Sequence, residues 1–409
     1  MKWLPGIGEP QLRDGYLHTT VFPGGGDLNR RALAVLFAVL FLVMTGFSIL
    51  FPVLPHYARQ VGATEAQWGW IVAAYSFMQF LFSPYWGALS DRVGRKRVLL
   101  AGLAGYVATF LALAFAHTLM QVFVVRALSG ALTAATLPTA MAYVGDNTTR
   151  EERAKGMGVL GAAMGLGVIF GPMIGAFLSH ISLATPFLAS AGSGAVTFLL
   201  ALTLLPESRP VYTGPRPSRW ALIRGQMGAL NLVSFCVSFL IAGFEATFAL
   251  FIYDRFAMGQ MSQGYLFGVI GIGSAVMQGA IAHRFMKRFG DEAAVVSGMG
   301  LIAFGLLLVI AAWNPPSLYP LVLVYGFGHG MVRPAVATLV SKRAVQQGVA
   351  IGAMDAMDSM GRVVGPIVAG FAYGHFGMTS PYWIGVAVVL AAMVAFWNIR
   401  PSQEPQEAS

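Results

Sequence analysis

Residues 158–176 read GVLGAAMGLGVIFGPMIGA, and 194 residues further on residues 352–370 read GAMDAMDSMGRVVGPIVAG. Each stretch sets a Gly, eight residues, a second Gly, three residues and a Gly-Pro pair: Gly158, Gly167 and Gly171-Pro172 in the first, Gly352, Gly361 and Gly365-Pro366 in the second. A small residue within an apolar segment lets helices approach closely wherever it occurs. One spacing used twice, with the same terminal Gly-Pro, instead marks a duplicated unit. Two more echoes agree with it. Pro138 and Pro334 fall late in the fourth apolar segment of each unit, and GALSDRVGRKR (87–97) is answered by GAIAHRFMKRFG (279–290).

The surroundings of these stretches exclude an ordinary soluble domain. Of the 409 residues, 56% are hydrophobic and only 11% charged, against about 25% charged in soluble chains, and the mean hydropathy is +0.68. A span needs about 20 mostly apolar residues to cross the hydrocarbon core. Segments of that length are predicted near 32–54, 67–89, 98–117, 119–144, 156–180, 185–205, 226–251, 264–283, 293–313, 317–340, 348–372 and 381–399. The expected fold is therefore all-α and integral to the membrane, with twelve transmembrane helices in two pseudo-symmetric halves of six. The Pro- and Arg-rich stretch 206–224 divides the chain into a tail (1–29), a first half (30–205), this linker, a second half (225–400) and a short tail (401–409). A repeat of six spans is the arrangement of carriers whose halves rock about a site near the membrane midplane.

Basic residues set the expected orientation, because short cytoplasmic loops retain Lys and Arg. With both termini inside, 21 of the 26 fall in inner segments and only Arg59 and Arg255 in outer loops; Arg126, Arg333 and Arg362 lie within spans. The net charge of +9 is spread over all the inner loops, so membrane orientation accounts for it and no nucleic-acid partner is implied. The first 29 residues, with PGIGEP and FPGGG, lack the apolar run of a signal peptide and read as a cytoplasmic tail. A single cysteine, Cys236, offers neither a disulfide framework nor a cysteine metal cluster.

At these motifs the sequence resembles the major facilitator superfamily, and more narrowly its twelve-span drug:proton antiporters, which include tetracycline and multidrug exporters. The resemblance covers about residues 32–400. Gly87, Asp91, Arg92, Gly94, Arg95 and Lys96 match the superfamily's inner-loop motif. Gly158, Gly167, Gly171, Pro172 and Gly175 match the antiporter motif, which the family ends in Gly-Gly and this chain in Gly175-Ala176. Pro52-Val53-Leu54-Pro55 looks like the family's Pro-x-x-Pro, and Arg126 with Gly130 resembles its fourth-span Arg-x-x-x-Gly.

The resemblance implies a latch that closes the inner side and releases during alternating access. In it, Gly87 is expected to allow tight packing and Asp91 to face the positive N-terminal end of another helix. Arg92 or Arg95 would pair with Asp146 at the inner end of the fourth span. His283 stands where the second half would repeat Asp91. Gly167, Gly171 and Gly175, at i, i+4 and i+8, are expected to form a smooth stripe against a span of the other half, with Pro172 permitting a bend. The resemblance also implies a cavity lined by the first, fourth, seventh and tenth spans.

Ionisable residues inside spans are costly, and they face a cavity or one another. The chain offers Arg126, Glu245, His329, Arg333, Asp355, Asp358 and Arg362. Asp355, Asp358 and Arg362 share one face of the eleventh span, with Asp358 and Arg362 at i,i+4; they fit a packing pair as well as a proton or substrate site, and the second acid is free to take a proton or pair with Arg333. Glu245 has no cation within one turn and is a candidate to bind a proton, with Asp355 or Asp358 as a second acid. Arg126, Arg333, Arg362 and His329 are candidates for substrate contact or a charge network. Many related antiporters carry an acid in the first span, and this chain has none between Arg31 and His56.

The expected activity is secondary active transport, a proton-coupled efflux of small amphipathic or drug-like compounds across the plasma or bacterial inner membrane by a monomer. Importer, lipid flippase or uniporter functions use the same fold. A non-transporting sensor or an enzyme finds little support, because H-E-x-x-H, G-x-S-x-G and G-x-x-x-x-G-K-[ST] are all absent from the sequence; no cofactor or metal is implied. The orientation is open to test with a cysteine introduced at Ser218 and Cys236 replaced. An impermeant maleimide should label it only after the membrane is opened, and labelling of intact cells would refute the topology.

Overall fold

The computed structural model describes residues 30–147, 150–207, 226–343 and 347–398. The tails 1–29 and 401–409, most of the linker 206–224, and the basic residues counted in them lie outside the described residues. Within them the chain is all-helical, and its spans fall where hydropathy places them. The first half comprises Arg30–Gln60, Glu65–Val93, Arg95–Ala114, Leu119–Asp146, Arg150–Ser179 and Thr185–Leu204. The second comprises Gln226–Phe256, Gln260–Phe289, Asp291–Ala311, Leu318–Arg343, Gln347–Phe376 and Ser380–Asn398. Nine of these helices are long and apolar enough to cross a bilayer on those criteria alone. The second, tenth and eleventh are as long but carry polar groups such as Asp91, His329, Arg333 and Asp358. Large apolar side chains, among them Phe77, Leu81, Leu199, Phe304 and Leu390, are exposed around the bundle, as a surface that meets lipid requires.

The twofold repeat is present in the packing. The first span packs on the fifth, the third on the sixth and the second on the fourth; the seventh packs on the eleventh, the ninth on the twelfth and the eighth on the tenth. Across the halves the second meets the eleventh and the fifth meets the eighth, which is one contact repeated by the pseudo-symmetry. The tight turns at Gly94 and Gly290 also correspond, with φ of +105° and +88°, a left-handed backbone that glycine adopts without strain.

Two local features break the symmetry. The fourth span is interrupted between Leu119–Thr133 and Thr136–Asp146, just before Pro138, whereas the tenth continues through Pro334. The eighth opens into a π segment at Met277–Ile281, just before His283.

One expectation is corrected here. Gly167, Gly171 and Gly175 do not lie against the other half but against the first span of their own. A Cβ at Gly171 would overlap Ser48 Oγ and the Thr45 carbonyl, one at Gly167 would meet Met44 and the Phe41 carbonyl, and one at Gly175 would meet Ile49. Ser48 donates to the Gly167 carbonyl across this seam at 2.9 Å. Gly361 and Gly365 seat the eleventh span on Phe235 and Phe239 of the seventh in the same manner. Helical spacing defines the face a stripe occupies and is silent on which neighbour covers it.

Gly171→Leu is expected to destabilise the first-fifth seam by about 1–3 kcal/mol, the usual cost of overpacking, and so to lower the melting temperature in detergent. Gly158→Leu, which points into open space, should leave it unchanged.

Candidate functional site

The two ends of the bundle differ. At one, bearing the loops after Gln60 and Phe256, side chains from the two halves clasp each other. Arg59 holds Asp254 through both guanidinium nitrogens at 2.8 Å and Glu65 at 3.0 Å. Tyr373 donates to the same Asp254 at 2.6 Å. His56 is 3.0 Å from Gln263 Oε1, and the Trp68 indole donates to the Ala246 carbonyl at 2.6 Å. The backbones close up beneath this clasp: Gly69 lies against Pro366, Gly370 against Glu65, and Gly264 against Pro172.

The opposite end is open between the halves. Added Cβ atoms at Gly87, Gly158, Gly161, Gly165 and Gly279 would meet nothing within 4 Å, and Arg333, Asp355 and His283 are exposed. Gly87 therefore does not provide the tight packing expected of it.

Between the ends lies a cavity that takes residues from both halves. The first span contributes Phe47, Leu50, Phe51 and Leu54, the second Trp68, Val72, Tyr75 and Ser76, the fourth Arg126, the seventh Ala242, Glu245 and Ala246, and the eleventh Arg362. The second and eleventh spans thus join the expected first, fourth and seventh, while the tenth contributes no residue to this enclosed part.

The Arg-x-x-x-Gly spacing has a direct geometric reason. Gly130 brings the fourth span against the Tyr75 backbone. One turn earlier the Arg126 guanidinium then lies over the Tyr75 ring, 4.4 Å from its centroid, a favourable cation–π distance. Tyr75 is itself held by Thr133 at 3.2 Å and Gln79 at 3.4 Å. Arg126 is only 4% exposed, its Nε has no hydrogen-bond partner, and among the described residues no carboxylate comes within 4.0 Å of it.

In the second half, Glu245 is half-buried on the cavity wall and Arg362 is the cation that acts on it. Asp358 does not follow the expected i,i+4 pairing with Arg362. It faces Arg333 at 3.8 Å and accepts a hydrogen bond from Ser238 at 2.9 Å. His329 feels both Arg333 and Arg362, so these groups within the spans of the second half share one sector. Asp355 is exposed one turn nearer the open end. Among the described residues no group of three His, Cys, Asp or Glu side chains converges to hold a metal.

The expected latch residues form a cluster inside the first half at the open end. Arg95, buried, pairs with Asp146 at 2.8 Å and with Asp91 at 2.5 Å, and donates to Ser90 at 2.6 Å. Asp91 therefore meets a side-chain cation one turn on in its own sequence. Arg92 points outward and is exposed. Glu207, just past the end of the sixth span, accepts from the Lys96 backbone N–H at 3.2 Å and lies 3.8 Å from Arg97. Sequence reasoning missed Glu207 and the whole clasp. One signal was available for the clasp: Arg59 and Asp254 are opposite charges 195 residues apart, at nearly equivalent ends of the first and seventh spans.

Two helical halves clasped at one end, open at the other and enclosing an apolar cavity with a few charges define a membrane carrier. The family model of the Major Facilitator Superfamily matches residues 36–357, and the chain belongs to that superfamily. It is a multi-pass membrane protein and a secondary transporter rather than an enzyme. The class C tetracycline resistance protein of Escherichia coli is 31% identical over 378 residues, covering 89% of this chain and 94% of the relative. The quinolone resistance protein NorA of Staphylococcus aureus is 25% identical over 370 residues, covering 89% and 95%. Among solved structures, the human organic anion transporter MFSD10 (TETRAN) superposes with a TM-score of 0.69 at 26% identity, covering 91% of this chain and all of that one.

The clasp yields a prediction. Exposed or half-exposed ion pairs are worth about 1 kcal/mol or less, so Asp254→Asn should shift the balance towards opening at that end by up to about fivefold. A cysteine at Val72 in a Cys236→Ser background should then react several times faster with a maleimide applied from the clasped side. An unchanged rate would mean that the backbone contacts alone hold this end shut.

Proposed function

We propose that this carrier exports small amphipathic, drug-like compounds in exchange for protons, by rocking its two halves about the central cavity. The observation that carries the proposal is Glu245: a carboxyl on an apolar cavity wall, with no cation within 4.0 Å among the described residues. Burial disfavours the charged form of such a group unless a partner compensates it. Glu245 can hold a proton when the cavity faces the acidic side and lose it when the cavity faces the other. Asp358, paired with Arg333, and Asp355 are the candidates for a second acid. The similarity to tetracycline and quinolone resistance proteins supports export and the drug-like substrate class.

In this reading the halves are residues 30–205 and 225–400, joined by the 206–224 linker, with both termini cytoplasmic in the plasma or bacterial inner membrane and the protein acting as a monomer. The clasped end is then outer and the open end cytoplasmic. The Asp91–Arg95–Asp146 cluster stiffens the inner end of the first half and presents it to the second when that side closes. The drive is adequate without ATP: one charge moved through about 100 mV supplies about 2.3 kcal/mol, or roughly a fortyfold gradient.

The test uses proteoliposomes with an imposed pH gradient. Glu245→Gln mimics the protonated state and is expected to retain facilitated movement of a neutral substrate while losing accumulation against its gradient. Accumulation equal to that of the parent would make Glu245 structural and pass the role to the eleventh-span acids.

A further inference from the structure

Arg126 and Glu245 come from opposite halves to one cavity, and each lacks an ion-pair partner within 4.0 Å among the described residues. Arg126 carries the stronger demand. A guanidinium 4% exposed, with a buried Nε that donates to nothing, lines the cavity over the Tyr75 ring with no carboxylate among the described residues within 4.0 Å to meet its charge. An unpaired buried charge is costly, and a planar guanidinium is suited to carboxylate and similar oxyanions. The apolar side chains that line the cavity with the two charges, Phe47, Phe51, Trp68 and Val72, suit an aromatic or aliphatic body.

The sign of the coupling then restricts the ligand further. A purely anionic ligand would bind best when Glu245 is protonated and would travel with the proton. Direct competition with the proton for Glu245 is the simplest basis for exchange, and the ligand group that competes for a carboxylate is a cation. We infer that the cavity takes an amphipathic zwitterion, with its anionic oxygens on Arg126, its apolar body against the aromatic wall, and its basic group towards Glu245. This inference deepens the proton-exchange reading and rests on it for the basic group; the anionic group rests on Arg126 alone. Arg362, which acts on Glu245 from the eleventh span, is the charge the basic group must be placed away from, so that end of the ligand is expected to approach Glu245 from the first-half side.

Equilibrium binding to purified protein in detergent, with no gradient, tests this with four probes on one body: 6-(aminomethyl)-2-naphthoate, its methyl ester, 6-methyl-2-naphthoate and methyl 6-methyl-2-naphthoate. They carry both charges, the positive alone, the negative alone and neither. The wild type should bind the zwitterion tightest. Arg126→Gln should weaken the zwitterion and the anion by about tenfold, the scale of a charged hydrogen bond, and leave the other two unchanged, with Arg126→Lys recovering part of the loss. Glu245→Gln should weaken the zwitterion and the cation and spare the anion. Equal loss for all four probes in Arg126→Gln, no loss, a wild-type preference for the cation or the neutral ester, or no binding of any probe would overturn the inference. Proton coupling is not read by this assay, so a protein with the expected binding pattern that fails to accumulate substrate would refute the exchange reading separately.

Discussion

Two helices in hydrocarbon gain no hydrophobic force by meeting, so the tightness of their contact depends on how closely the backbones approach. That constraint organises this molecule. Gly167, Gly171 and Gly175 press the fifth span onto the first, and Gly361 and Gly365 press the eleventh onto the seventh. Each half thereby contains a long seam without bulky side chains at its centre. Between the halves the close approaches lie near the clasped end, where Gly69 meets Pro366 and Gly264 meets Pro172. A body stiff within its halves and joined near one end can move chiefly by rocking one half against the other.

Charge placement follows from the same economy. Arg95 is buried but meets two carboxylates and a hydroxyl, and Asp358 has Arg333 and Ser238. Arg59 ties the first half to Asp254 of the second. Arg126 and Glu245 are the contrast, since both face the cavity with their charges less fully met. In a membrane carrier such incompletely paired groups are where a moving ion or ligand can make a difference to the energy of each state.

Most of the fold was legible in the sequence. Hydropathy gave the number of spans and their approximate bounds, because a crossing helix must be apolar for about 20 residues, and the doubled Gly-Pro spacing gave the two halves. Helix ends ran past the predicted bounds where polar residues continue the helix, as at His56–Gln60. The site was less legible. The glycine stripe was assigned to the wrong neighbour because periodicity defines a face only. Asp358 was expected on Arg362 because i,i+4 places two residues close along a helix, yet the side chain turned to Ser238 and Arg333 on other helices. Arg59, Asp254 and Tyr373 were not foreseen, since contacts across 195 and 119 residues leave no local pattern.

The central claim is that the two halves exchange which end is open. Pulsed spin-label distances in a Cys236→Ser background test it most directly, with one pair at Gln60 and Phe376 on the clasped end and another at Val93 and Phe289 on the open end. Across conditions that drive transport, the account predicts that one distance lengthens as the other shortens, in the same fraction of molecules. Two distances that stay fixed, or lengthen together, would contradict it.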